Sequence, residues 1–258
     1  MTQRFSLILA LAMLVVPVPA LAQYAPVIDP FSTDYFTNVT WNDINRRTSE
    51  ALKDSKPKNR SSNRADTPRK TSTVAPKTAT PKVVRAPAAS LTFRPSGTLA
   101  QSRGVEALVL QQRKDQQAVA RANFVTIITS FNESAPCLYG VPKNNMATGV
   151  AAILSGADVA YHNRSFPDEW VKPLVTQLEA SMLEDQNLAN APATDKETAY
   201  YIMVGTGMAL HLRQAEIAKK PNANDVAQLR RMGANIFQRM LIENPDSVEF
   251  SENGMSIR

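Results

Sequence analysis

The chain has 258 residues, 43% of them apolar, with 29 lysines and arginines against 23 aspartates and glutamates, a formal net charge of +6. A single cysteine excludes an internal disulfide, and two histidines leave a zinc or iron site almost wholly to carboxylates, so neither a metal nor another cofactor is expected. The sequence also lacks a nucleophile elbow, an H-E-x-x-H pair, a phosphate-cradling glycine loop and a dinucleotide fingerprint.

Arg4 precedes an apolar run over residues 5–16, Pro17 and Pro19 break it, and Ala20-Leu21-Ala22 offers small residues for cleavage. Residues 1–22 therefore read as a secretory signal peptide. The run falls well short of the roughly 20 residues a bilayer-spanning helix needs. Cys137 is far from the cleavage site, which argues against a lipoprotein anchor, and no later stretch suggests a transmembrane segment. The mature chain is expected in a bacterial periplasm. Eukaryotic secretion is the alternative, with Asn38-Val39-Thr40 then a glycosylation acceptor.

Residues 23–52 are dense in aromatics, with Tyr24, Phe31, Tyr35, Phe36 and Trp41 close together. A short amphipathic helix fits residues 40–52. Either this segment folds back on the domain, or Tyr35, Phe36 and Trp41 dock on a partner protein of the envelope. Residues 53–90 form a linker of Lys, Arg, Ser, Thr, Ala and Pro. Between 53 and 87 ten basic residues face two acidic ones, a charge of +8, so the remainder of the chain sums to −2. The basic character belongs to this linker, which has too few large apolar side chains to build a core and reads as disordered. It serves as a spacer or adheres to an anionic envelope surface. No aromatic residue is interleaved with its charges, so specific nucleic-acid binding is not expected.

Residues 91–258 read as a mainly α domain, a bundle of about five helices with a small C-terminal β-hairpin. Leu91-Thr92-Phe93 is extended. Ser102 caps a helix from about Val105, either one long helix or two with a bend near Gln116, with Leu108, Gln112, Asp115 and Val119 on one early face and Phe124, Ile127, Ile128 and Phe131 on a later one. A loop over residues 132–141 follows, and Cys137 within it reads first as a buried, inert thiol, with an intermolecular disulfide or a reactive thiol as the alternatives.

The organising element is the helix of residues 144–163. Met146, Val150, Ile153, Leu154, Ala157 and Tyr161 make an apolar stripe at steps of three and four. Gly149, Ala152, Gly156 and Ala160 make a nearly bare face on which another backbone can approach closely. Asn144, Thr148, Ser155, Asp158 and His162 make a polar one. Asn144 or Asn145 caps the first turn, and Asn163 stands where the helix stops. Asp158 and His162, four residues apart and one turn beyond Ser155, are the best catalytic candidates, because a carboxylate at that spacing orients an imidazole. The competing reading is an exposed, solvated face.

Ser165-Phe166-Pro167-Asp168 opens a third helix with Trp170, Val171, Leu174, Leu178 and Met182 as its stripe, and Glu179, Glu184 and Asp185 as a solvated acidic patch. Thr194-Asp195-Lys196-Glu197 reads as a capping box. The helix it opens runs to about Lys219, burying Tyr201, Ile202, Gly205, Met208, Ala209, Leu212 and Ala215, with His211 as ordinary packing. Gly205-Thr206-Gly207 is placed there for close packing. A last helix starts at Asn222 or Asn224 and buries Val226, Leu229, Gly233, Ile236, Phe237 and Met240. Val248-Glu249-Phe250 and Met255-Ser256-Ile257 form the hairpin around Asn253-Gly254.

From F-R-P at 93–95, through N-N-M-A-T-G-V-A-A at 144–152, to E-F-S-E-N-G-M at 249–255, the chain resembles a family of exported bacterial proteins with a C-terminal helical domain of unknown function. The resemblance covers about residues 93–258. It implies the helical fold and export. It implies no activity, and no catalytic residue carries over from it. The residues themselves favour a non-enzymatic interaction or scaffold module on a basic tether. The alternative is a small hydrolase-type enzyme with its site around Ser155, Asp158 and His162.

Overall fold

The computed structural model describes residues 90–240 and 242–258. The expected signal peptide, the segment carrying Tyr35, Phe36 and Trp41, and the basic linker up to residue 89 lie outside the described residues. Among those described are seven helices, α1 (Arg103–Leu110), α2 (Gln117–Ser134), α3 (Met146–His162), α4 (Val171–Leu183), the single turn α5 (Gln186–Ala189), α6 (Ala193–Lys219) and α7 (Ala223–Arg239), and two strands, β1 (Val248–Ser251) and β2 (Gly254–Ile257). The mainly α class with a small C-terminal hairpin is as the sequence implied.

α3 is the axis. Asn145 caps it by accepting from Ala147 N–H and Thr148 N–H, and Asn163 ends it in the left-handed region at φ 50°. Every residue from Met146 to Ala160 is buried. This exceeds the two-sided burial expected, since the polar face is enclosed as well. α6 and α7 lie on α3 from different sides, and α4 packs on it too. Small residues allow the approach. A side chain at Gly156 would start 2.5 Å from Gly207 O, and one at Gly233 would start 2.6 Å from Ala157 O. At both places backbone meets backbone, so the bare face on Gly149, Ala152, Gly156 and Ala160 does what its composition suggests.

α1 and α2 cover the far side of α6. The bend near Gln116 is a true break, filled by a 3-10 turn over Lys114–Gln116. It rephases the apolar stripe, so Ala120 is buried where Val119 was expected, and Val119 and Asp115 are exposed. The expected loop at 132–141 is mostly helical. α2 runs to Ser134 and widens into a π-helical turn over Ala135–Tyr139, because Pro136 has no N–H for the regular ladder. Gly140, at φ 62°, closes that turn with its N–H on Ala135 O. Cys137 is exposed there, contrary to the buried thiol expected, because it lies on the side of this turn away from the buried Ala135.

The capping box at 194–197 does not form. Pro192 starts α6 earlier, with Asp195 and Lys196 N–H on its carbonyl, and Glu197 is drawn away to hold Ser96. The distal half of α6 is also rotated relative to the expected stripe: Leu210, His211 and Ile217 are buried, while Leu212 and Ala215 are only half-buried. β1 and β2 pair in register Val248 with Ile257 through Ser251 with Gly254. The hairpin is fastened to α4 by Gln177, which accepts from Met255 N–H at 2.7 Å and donates to Met255 O at 2.8 Å.

Candidate functional site

The parallel run of α3 and α6 through Gly156 and Gly207 carries one further turn of α6 past α3, and this turn delivers His211 to Ser155. His211 Nε2 lies 3.1 Å from Ser155 Oγ, and both residues are buried. Burial holds the His211 imidazole well below its ordinary value, at about 4, so it is neutral near pH 7. Ser155 Oγ also lies 3.1 Å from Ala152 O, one turn back on its own helix. With Nε2 protonated, the ring donates to Oγ and the hydroxyl donates to Ala152 O. In the other tautomer the hydroxyl donates to Nε2. The first arrangement satisfies both contacts and leaves the serine proton on a backbone carbonyl, where it lends Ser155 no nucleophilic character.

Beside this pair is a cavity of about 20 Å³, walled by Phe131, Tyr139, Phe166, Leu174 and Met208 with Thr148, Ser155 and His211. That is room for about one water. Tyr139 closes it from the π-helical turn. Burial, reinforced by the charge of Asp168, pushes its phenol above the ordinary range. Asp168 is itself pushed up by burial and by neighbouring Glu169, and its buried Oδ1 has no hydrogen-bond partner.

Asp158 forms a separate constellation. Its side chain is 1% exposed, and His162 Nδ1 stands 2.9 Å from Oδ1 with Arg164 Nη2 at 3.4 Å. His162 and Arg164 sit nearer the surface, so the group is a buried carboxylate lidded by two nitrogen-bearing side chains. Next to it, Arg230 stacks over the Tyr161 ring at 4.6 Å and donates to its hydroxyl. Of the three catalytic candidates, Asp158 and His162 are together as their spacing implied. Ser155 is not with them: it is two turns from His162, roughly 10 Å along the axis, and belongs with His211.

His211 is buried, as its reading as packing implies, but its pairing with Ser155 is not foreseen by the sequence. The available signal was its place four residues beyond Gly207, on the face of α6 that the glycine turns toward α3. The acidic patch on α4 also differs from expectation. Glu179 accepts from Asn145 Nδ2 at 3.1 Å, and Asp185 is buried and accepts from Asn187 N–H at 2.9 Å to start α5, so only Glu184 is solvated.

Among the described residues no three His, Cys, Asp or Glu side chains gather in a way that would hold a metal ion, and no helix is long and apolar enough to cross a membrane. No curated protein and no solved structure matches the chain. One family does match, over residues 1–258, a span that takes in the N-terminal segments as well as the bundle. The chain belongs to the family of unknown function (DUF6683).

Proposed function

We propose that the chain is an exported helical interaction module that acts by binding, with the bundle as its folded body and the basic residues 53–90 as a tether for the aromatic segment 23–52 that meets a partner. The observation that carries this reading is that the polar groups of α3 are taken up by the protein itself. Thr148 Oγ1 donates to Pro142 O at 2.8 Å, Ser155 is engaged by Ala152 O and His211, and Asp158 is held by His162 and Arg164. A face of this kind sets the helix in place and presents little to a substrate. The signal-like residues 1–22 support export. The aromatic residues 23–52 and the +8 charge between 53 and 87 support attachment to an envelope protein or to an anionic envelope surface.

The test is a crosslinking capture from cells, comparing the mature chain with one lacking residues 23–52. Loss of the captured partners with that segment is the expected result. Unchanged capture refutes docking through Tyr35, Phe36 and Trp41. The hydrolase reading rests on the 3.1 Å approach of His211 to Ser155. A fluorophosphonate probe decides it: labelling of Ser155 that His211→Gln abolishes would replace the binding reading with an enzymatic one.

A further inference from the structure

The chain enters the bundle through an extended strap, residues 90–96. Its attachments are those of a bound peptide. Ser90 N–H donates to Ala189 O at 3.3 Å, Met146 N–H donates to Leu91 O at 3.1 Å, and Phe93 N–H donates to Asn144 O at 3.0 Å, with Thr92 bridged to Asn145 in antiparallel sense. Leu91 and Phe93 point inward and are buried, while Ser90 and Thr92 are exposed. Phe93 stands edge-on to Tyr200 and Tyr201, with ring centroids at 5.3 and 6.1 Å. A charged clasp closes each end. The buried Lys196 amine donates to Ser90 O and, at 2.7 Å, to Ala189 O, and the Glu197 carboxylate accepts from Ser96 N–H and its hydroxyl. Backbone rungs supply affinity and alternate side-chain sockets supply selectivity, as in strand addition.

None of these contacts joins the strap to its own neighbourhood in sequence. All reach α3, α5 or α6, or the turns before them. The chain is exposed from Arg94, within the strap, to Thr98, and nothing lies within 4 Å of the point where a side chain on Gly97 would begin. Alternate strap residues face outward, so the strap can lift sideways out of its slot.

We propose that this slot is an exchange site, filled reciprocally by the strap of a second copy of this chain to give a two-fold dimer. The same rungs, sockets and clasps form whichever copy supplies the strap, so only the hinge and the loss of free motion distinguish the two states. A strap attached to its own body holds the advantage of high local concentration, and exchange therefore grows where chains are crowded. The proposal stands apart from whatever residues 23–52 attach to.

The single, exposed Cys137 permits the test. Two pools of the mature chain, labelled there with donor and acceptor dyes and thereby unable to form a disulfide, are mixed over a range up to about millimolar. Energy transfer that rises with concentration, with a doubled mass by light scattering, is expected. Phe93→Ala weakens the strap equally in its own slot and in a partner's, so it is expected to speed the rise of transfer after mixing at least tenfold while the helical circular dichroism stays. A rate of rise that Phe93→Ala leaves unchanged is surface association, which needs no strap to leave its slot, and overturns the proposal, as does a wild-type chain monomeric throughout. If Phe93→Ala does not fold, Leu91→Val replaces it. It trims a buried strap side chain and is expected to speed the rise of transfer in the same sense, and a rate equal to wild type overturns the proposal.

Discussion

Gly207 offers the sharpest perturbation of the fold. A Cβ there would lie 2.1 Å from Ala152 O, 2.5 Å from Ala152 C and 2.9 Å from Ile153 Cα. All three are backbone atoms of α3, so no rotamer change relieves the clash and the helices must separate. Overpacking costs about 1–3 kcal/mol, and contact with backbone places Gly207→Ala at about the upper end. Alanine returns about 1 kcal/mol in helix propensity, leaving a net loss of about 2 kcal/mol. An unfolding entropy of about 2.1 cal/mol/K per residue over about 170 residues converts this to a fall in Tm of about 6 °C. Differential scanning calorimetry measures it, with Gly97→Ala as the control, since Gly97 has open space around it. The control is expected within about 1 °C of wild type. A Gly207→Ala chain melting equally close to wild type would refute the backbone contact between α3 and α6.

Two further outcomes follow from the interior and the surface. The His211 imidazole titrates at about 4 when folded and at 6.5 ordinarily. Between those values the unfolded chain takes up a proton that the folded chain refuses. Stability from this group is therefore complete above about pH 6.5 and declines as pH falls toward about 4, by about 3 kcal/mol in all at about 1.4 kcal/mol per unit. Urea titrations at pH 7 and 4.5 should show a smaller difference for His211→Gln than for wild type, and parallel profiles would sink the assignment. At the surface, Cys137 should react with a thiol reagent in the native chain about as fast as in denaturant; protection by more than about tenfold would contradict its exposure.

The elements most open to reading were those whose residues answer to local rules. Asn145 and Asn163 bracket α3 because a short polar side chain caps one end and tolerates the left-handed conformation at the other. Gly149, Ala152 and Gly156 announced a close neighbour through their lack of bulk. What escaped reading depends on contacts far apart in sequence. Thr194 and Glu197 have the spacing of a capping box, but Glu197 is claimed by Ser96, about a hundred residues away, and Pro192 has already begun the helix. The same limit applies to the candidate site. Spacing within one helix placed Asp158 beside His162, whereas the partner of Ser155 comes from α6 and is fixed only by how two helices meet. Solvation of the polar face was misjudged for a related reason. Thr148, Ser155 and Asp158 look like surface residues until the bundle supplies each with a partner.

Because α3 is enclosed along nearly its whole length, it adds almost nothing to the outer skin of the molecule. Identity of the fold and identity of the surface thus reside in separate sets of residues. The outer faces of α2, α4 and α7 are free to diverge in charge and shape while the glycine and alanine positions of the axis stay constrained by contact. A molecule divided in this way can change its surface without reopening its interior.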